Sequence, residues 1–191
     1  MNITHVEKLT QERWVNLFAA TFEHNGHKGR WVFASREETP HKGVVGAAVI
    51  IIPILRTPGH APRLVMIREY RVPVGGYVIG LPAGLIEKDE PVEESIRREL
   101  LEETGFELAT IHRITQPLLS SAGLSDEAAM LAFVDVRGEP GAIQALEPSE
   151  DVEVLLLDYE GLCKLCDDPT QTIDTKAWMA LFVYQQLGRI V

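Results

Sequence analysis

Apolar and polar residues alternate along two segments near the start of the chain, and this pattern predicts two β-strands. The segments are WVNLFAATFEH at residues 14–24 and GRWVFASRE at residues 29–37. Asn25-Gly26 between them is a dipeptide typical of tight hairpin turns. We therefore predict an N-terminal antiparallel strand region at residues 1–40, followed by the main domain at residues 41–191.

Apolar runs in the main domain predict further strands, several of them buried. The run at residues 44–55 is too short for a membrane helix, and Pro53 and its β-branched residues favour a strand. The predicted strands are HKGVVGAAVIIIPIL (41–55), PRLVMIREYR (62–71), VIGLPAG (78–84), IHRITQPLLS (111–120), EAAMLAFVDV (127–136) and EDVEVLLLD (150–158).

The period changes to that of a helix after residue 90. Val92, Ile96 and Leu100 recur every four residues and form an apolar stripe. Pro91 suits the first position of a helix, and Gly105 suits the left-handed residue that ends one. A second amphipathic helix is predicted at residues 173–187. Strands mixed with two or three helices predict an α/β fold in which a mixed sheet lies between helices.

The charge balance changes the list of possible partners. Lys and Arg number 18 and Asp and Glu number 28, so the net charge is −10. An acidic surface disfavours binding to a nucleic acid backbone, although a bound metal ion still allows a small phosphate ligand. Cys163 and Cys166 form a lone C-x-x-C, which we interpret as two reduced cysteines. With no signal-peptide segment at the N-terminus, a cytoplasmic protein that does not bind membranes is expected.

The predicted helix at residues 91–104 carries an unusual number of acidic residues. At about 100° per residue, Glu99, Glu102 and Glu103 share one side of it. Arg98 can pair with a neighbouring carboxylate, but one arginine cannot neutralise all three. Such oxygen-rich groups suit hard divalent cations such as Mg²⁺. The alternative is an acidic helix face that is merely solvated.

The spacing around these residues distinguishes the two interpretations. From Gly84 the chain has the form G-x5-E-x7-R-E-U-x-E-E-x-G-U, where U is a bulky apolar residue. This pattern resembles the Nudix hydrolase box. The resemblance implies an α/β/α sandwich and magnesium-dependent cleavage of a nucleoside diphosphate linked to another moiety, with Mn²⁺ as another possible ion. It further implies a metal site formed by the Ala83 carbonyl, Glu99, Glu102 and Glu103. Arg98 would position the helix glutamates, and Gly84 would allow a close turn before the helix.

Residues outside the box resemble one branch of that family. REYRVPVGGYVIGLPAGLIE at residues 68–87 is similar to ADP-ribose pyrophosphatases, a branch that also covers other nucleoside diphosphate sugars. The resemblance implies that Arg71 contacts the substrate's phosphates or terminal ribose, that Trp14 and Trp31 stack on the base, and that Arg36 contacts the nucleotide. It also implies a homodimer that exchanges the N-terminal strands. A surface position for Arg71 and core positions for the two tryptophans are the alternatives.

A loop after the box resembles the catalytic loop of the same branch. In SSAGLSDE at residues 120–127, the resemblance makes Glu127 a general base or a further metal ligand, with Glu102 as the rival base. Two positions depart from the branch. Ala122 stands where a proline marks ADP-ribose hydrolases, and Gly80 stands where a glutamate is usual. These departures leave the sugar and the base undetermined.

Three functional hypotheses follow from these patterns. The first is hydrolysis of a nucleoside diphosphate sugar, with ADP-ribose as the leading substrate. The second is a Nudix enzyme for nucleoside triphosphates or dinucleoside polyphosphates. The third is a non-catalytic ligand sensor on a Nudix scaffold, which the presence of all three box glutamates disfavours.

Overall fold

The fold is described from a computed structural model, which describes residues 1–40, 48–139, 141, 144–146 and 150–191. Residues 41–47 of the predicted strand at 41–55 therefore lie outside the described residues. The strands are β1 (Asn2–Lys8), β2 (Asn16–His24), β3 (His27–Ser35), β4 (Ala48–Leu55), β5 (Arg63–Arg71), β6 (Gly76–Gly80), β7 (Ala83–Leu85), β8 (Glu107–Ile114), β9 (Leu118–Leu119), β10 (Ala128–Arg137) and β11 (Val152–Leu157). The helices are α1 (Val92–Thr104), α2 (Tyr159–Asp167) and α3 (Thr175–Leu187).

The first compact unit contains the N-terminal strands. It comprises described residues of Met1–Ala47 together with Gln116–Met130. Strands β1, β2 and β3 form an antiparallel sheet in that order. The predicted hairpin turn is present, because Asn25 and Gly26 adopt φ angles of 50° and 77°, the left-handed values that such a turn requires. The Phe18 and Phe33 rings stack at 5.8 Å between centroids in the small core of this unit.

The second compact unit contains the central sheet and all three helices. It comprises the described residues of Ala48–Thr115 and Leu131–Val191, and the strand order is β11-β5-β4-β10-β8. Alternate residues of β4 face opposite sides of the sheet. Val49 and Ile51 pack in the core that includes Ile96 of α1. Ile52 and Ile54 line a cavity of about 680 Å³ together with residues of α3. This arrangement is the predicted α/β/α sandwich, and the fold class is confirmed.

Helix α1 follows the sequence prediction closely. Its apolar stripe is buried: Ile96 and Leu100 are 0% exposed. The helix ends at Gly105, whose φ of 71° is left-handed and whose N–H donates to the Leu101 carbonyl. Pro91 was predicted at the first helical position, but it is the N-cap residue, and the helix begins one position later at Val92.

Other elements differ from the sequence predictions. Strand β1 and helix α2 were not predicted, although Asp158 is a favourable cap that accepts a hydrogen bond from the Gly161 N–H. Helix α3 was expected to be strongly amphipathic, yet Trp178, Met179 and Phe182 are 38–50% exposed. Its apolar residues therefore surround the helix instead of forming one buried stripe. None of the helices in the described residues is long and apolar enough to cross a membrane.

Candidate active site

The three predicted metal-binding glutamates of α1 are buried or half-buried, so they do not form a merely solvated helix face. Glu99 is 8% exposed and Glu103 is 6% exposed, whereas Glu102 is half-buried. The register of the helix explains this difference. Glu99 and Glu103 are four residues apart, so both lie beside the buried apolar stripe. Burial of two carboxylates on one helix is costly, and it needs a compensating partner or a function.

Glu103 is the most strongly perturbed carboxyl group of this cluster. Burial, with added repulsion from Glu99, Glu69 and Glu150, raises its pKa to about 8, although a hydrogen bond from the Ala83 N–H opposes the shift. That bond is 2.9 Å long from Ala83 N to Glu103 Oε2. Strand β7 holds Ala83 there, because Ala83 pairs with Ile50 of β4. The fold thus brings two predicted metal-binding residues, Ala83 and Glu103, into direct contact.

Arg98 contacts three glutamates of the box, Glu90, Glu99 and Glu102. Its guanidinium lies 2.6 Å from Glu99 Oε1 and 3.2 Å from Glu102 Oε2. It donates two further bonds of 3.1 Å to Glu90. These bonds, together with one from Ser95, lower the pKa of Glu90 to about 2. Sequence analysis gave Glu90 no role. Its place in the box pattern was the feature from which a contact with Arg98 could have been predicted.

Gly84 has a different role from the one predicted. We expected it to permit a close turn, but it lies in β7 and its φ is outside the left-handed region. A Cβ atom at this position would lie 1.7 Å from Glu99 Oε1 and 1.9 Å from Glu99 Cδ. The missing side chain therefore makes room for the Glu99 carboxylate against β7.

Arg71 lies at the end of β5 and pairs with a glutamate that sequence analysis missed. The guanidinium of Arg71 is 2.8 Å from Glu69 Oε2, and the side chain of Arg71 is 52% exposed. Burial raises the pKa of Glu69, with the charge of Arg71 opposing the shift. Glu69 also repels Glu103. The alternation of residues along β5 could not predict that Glu69 lies near Glu103, because this proximity depends on how β5 and α1 pack together.

The donor set suits a divalent cation, although the side chains as placed do not surround one. Within the described ranges, no three Asp, Glu, His or Cys side chains converge closely enough to hold an ion. Glu99 instead contacts Arg98, and Glu103 contacts the Ala83 N–H. Two buried carboxylates with raised pKa values repel each other, and a hard cation is the ligand that removes this repulsion.

The raised pKa of Glu103 predicts a pH dependence of stability in metal-free protein. The pKa is about 8 in the folded state against 4.5 ordinarily, so the folded state binds the proton more tightly. The contribution of Glu103 to the free energy of unfolding should therefore be highest below pH 4.5 and should fall as the pH rises to about 8. Urea unfolding in a chelating buffer at several pH values measures this slope, at most about 1.4 kcal/mol per pH unit.

Glu103→Gln is the control for this slope, because glutamine does not titrate. The variant should lose most of the decrease in stability between about pH 5 and 8. Equal slopes for the wild type and the variant would contradict the assignment of the slope to Glu103.

In the first unit, both predicted base-binding tryptophans are exposed. Trp14 is 64% exposed and Trp31 is 55% exposed, so neither is a core residue. Trp14 was predicted within a strand, but it precedes β2, and its ring stacks at 4.3 Å on the Arg13 guanidinium. Trp31 lies on β3, and its indole N–H donates to the Gly123 carbonyl at 3.0 Å. Base stacking by either ring stays a prediction.

The loop that carries Glu127 contacts β3 within the same unit. Arg36 Nε lies 3.4 Å from Glu127 Oε1, so two predicted site residues are brought together. The loop closes where the Ser120 N–H donates to the Glu127 carbonyl. Ala122 is exposed on this loop, and a side chain at Gly80 of β6 would meet open space. The two departures from the branch therefore occupy positions where a larger side chain has room.

Comparison with known proteins agrees with the box. The model of the NUDIX domain matches residues 45–179. A Caenorhabditis elegans protein named as a nudix hydrolase is 31% identical over 155 residues, covering 78% of this chain and 69% of its own. Mouse ADP-sugar pyrophosphatase is 27% identical over 184 residues, covering 92% of this chain and 84% of its own.

A solved structure has the same fold. The crystal structure of an ADP compounds hydrolase matches with a TM-score of 0.67, covering 99% of this chain and 96% of its own at 21% identity. At that identity the match concerns the fold alone. The family match and the box together identify the chain: it belongs to the Nudix family, as a pyrophosphohydrolase of the branch that contains the ADP-ribose pyrophosphatases.

Proposed function

We propose that this protein hydrolyses the pyrophosphate bond of ADP-ribose or a related nucleoside diphosphate sugar in a magnesium-dependent reaction. The products are a nucleoside monophosphate and a sugar phosphate. The observation that carries the proposal is the pair of buried glutamates, Glu99 and Glu103, gathered against β7 with Glu102 beside them. Two further findings support the proposal: the sequence around these glutamates matches the Nudix box pattern, and 92% of the chain is similar to mouse ADP-sugar pyrophosphatase.

The carboxylates of α1 are assigned to holding the cation. Glu99 and Glu103 supply buried oxygens, Glu102 supplies a more exposed one, and Ala83 supplies a backbone carbonyl. Magnesium, or manganese in its place, offsets the charge of a diphosphate and favours attack by water when it is bound. Arg98 keeps the carboxylates on one side of α1 through its bonds to Glu99 and Glu102.

We further propose substrate contacts for two arginines and proton transfer for a loop glutamate. Arg71 binds substrate phosphate, for which its planar guanidinium offers two donors at once. Arg36 contacts the nucleotide, and Glu127 accepts the proton of the attacking water. Glu102 is the rival for that last role, because it is the more exposed member of the helix cluster. The rival assignments differ in which substitution, Glu127→Gln or Glu102→Gln, removes the acid limb of the pH–rate profile.

A product assay tests the proposed function directly. The purified protein is incubated with magnesium and a panel of ADP-ribose, other nucleoside diphosphate sugars, nucleoside triphosphates and dinucleoside polyphosphates. We expect AMP and ribose 5-phosphate from ADP-ribose, and no products in the presence of a chelator. Preferential cleavage of triphosphates would overturn the substrate class, and the absence of turnover on every nucleotide would favour the sensor hypothesis.

Trp31→Ala tests the proposed stacking of the base. Stacking on an aromatic ring contributes about 1–3 kcal/mol, so we expect KM to rise between about fivefold and a hundredfold. The turnover number should change less, because stacking on the base stabilises the bound substrate and the transition state alike. Trp31→Phe keeps a ring face and should have a KM closer to that of the wild type. An unchanged KM in Trp31→Ala would remove Trp31 from the base site.

The proposed assembly is a homodimer, with the N-terminal region of residues 1–40 serving in dimerisation and base binding. Light scattering of the purified protein tests it. A mass of about twice the 21.3 kDa of one chain is expected.

A further inference from the structure

Strand β3 and the loop at residues 121–127 are joined by side-chain and backbone contacts in matching order. Three residues of the strand and Arg36, which directly follows it, meet four residues of the loop in the same order along both segments, and Ala34 also forms a parallel bridge with Ser125. The pairs are Trp31–Gly123, Ala34–Leu124, Ser35–Asp126 and Arg36–Glu127. The strand proposed to bind the base is thus attached to the loop that carries the proposed proton acceptor.

The Ser35–Asp126 pair joins a buried serine to a half-buried aspartate. Ser35 is 2% exposed, and its Oγ donates to Asp126 Oδ2 at 2.9 Å. The same hydroxyl oxygen accepts a bond of 3.0 Å from the Glu37 N–H, which orients the hydroxyl toward the loop. A hydrogen bond to a charged acceptor in a buried setting is stronger than an exposed one. Removal of Asp126 therefore leaves the buried Ser35 hydroxyl without its acceptor, and removal of Ser35 releases the half-buried Asp126 carboxylate from the strand.

The Arg36–Glu127 pair is weaker and more accessible. Its atoms are 3.4 Å apart, and its side chains are 42% and 40% exposed. Exposed ion pairs contribute little to stability, and a phosphate can compete for the guanidinium. This pair can therefore open when substrate binds, without releasing the loop from the strand.

Asp126 immediately precedes Glu127, so the hydrogen bond that holds Asp126 also restricts the position of the Glu127 backbone. The backbone of Glu127 is held on its other side, where its carbonyl accepts the Ser120 N–H at 2.9 Å. With the backbone held on both sides, the Glu127 side chain can still exchange its contact with Arg36 for another contact.

We propose that Ser35 and Asp126 are positioning residues, whose partly buried hydrogen bond holds the Glu127 loop on β3. Acceptance of the proton by Glu127 therefore depends on the strand that carries Trp31 and that ends at Ser35, directly before Arg36. This inference rests on the proposed function, since it assigns to the pair an effect on the same reaction.

Steady-state kinetics of Ser35→Ala and Asp126→Ala test the inference. A misplaced catalytic group slows the reaction, so kcat should fall between about tenfold and a hundredfold. The KM should stay within about twofold, because the Trp31 ring face is retained. Asp126→Asn keeps an oxygen that accepts the Ser35 hydroxyl, so it should recover most of the lost kcat. The double variant should be no slower than the slower single variant, because both remove one contact.

Thr170→Ala is the matched control. It also removes a hydroxyl that donates to an aspartate, from Thr170 to Asp168 Oδ1 at 2.6 Å, at a position that has no proposed role in the reaction. Its kcat should equal that of the wild type. Hydrogen exchange gives a readout besides activity: amides of residues 120–127 should exchange faster in Ser35→Ala and at the wild-type rate in Thr170→Ala.

The outcomes separate the two proposals. If the wild type is active and Ser35→Ala keeps its kcat, or loses it only through a higher KM, the positioning role is overturned while the proposed function stands. Additive losses in the double variant would also overturn it. A wild type without activity on any nucleotide would overturn the proposed function and the inference that rests on it.

Discussion

Glu103→Gln should lower kcat by at least about a hundredfold on the substrate that the wild type cleaves, because metal-ion stabilisation contributes several kcal/mol to such reactions. The substitution removes charge but almost no volume. Glutamine also keeps a carbonyl oxygen that can accept the Ala83 N–H, a bond of 2.9 Å in the wild type. The loss should therefore come from weaker cation binding and not from a damaged fold.

Thermal unfolding separates these two causes. Near pH 8 and without metal, Glu103→Gln should be as stable as the wild type or more stable, because burial disfavours the ionised glutamate. Glu107→Gln is the matched control, since Glu107 lies four residues further on, is exposed and pairs only at the surface with Arg137. Its kcat should be unchanged. An unaltered kcat in Glu103→Gln would refute the assignment of Glu103 to the metal site.

Gly84→Ala should have the second largest effect, a loss of between about tenfold and a hundredfold in kcat, because a small displacement of a catalytic group is costly. The new Cβ would lie 1.7 Å from Glu99 Oε1, far inside any contact distance. All three of its nearest atoms belong to the Glu99 carboxylate. The flexible end of Glu99 can move away, so the fold should survive while the proposed ligand is displaced.

Titration with manganese or magnesium provides the decisive measurement for Gly84→Ala. The variant should need a higher ion concentration for half-maximal activity, because one oxygen ligand is displaced. Gly76→Ala serves as the control, since a Cβ there meets nothing within 4 Å and the position lies on β6, which pairs with β5 whereas β7 pairs with β4. A normal ion requirement in Gly84→Ala would show that the close approach of Glu99 to β7 is unimportant for the cation.

The sequence predicted the parts of the site that depend on local spacing. Helix α1 was predicted with its stripe, its acidic side and its end at Gly105, since all of these follow from a period of 3.6 residues and from capping. The hairpin turn at Asn25 and Gly26 was predicted on similar grounds. Trp14 was misplaced in a strand because alternation alone does not define where a strand begins.

Contacts between distant segments could not be predicted in the same way. Glu69 and Ser35 had no distinguishing spacing, yet Glu69 repels Glu103 and Ser35 bonds to Asp126. The role of Gly84 also changed from a turn residue to the neighbour of Glu99.

By itself, the sequence determined the Nudix family, the carboxylate helix and most of the strands, because each follows from residues within one or two turns or one strand. Only the tertiary structure decided which carboxylates are buried, what Gly84 makes room for, and that Ser35 meets a loop residue 91 positions away. The physical reason is that burial and long-range hydrogen bonds arise where separate elements pack together, and no local period records which elements those are.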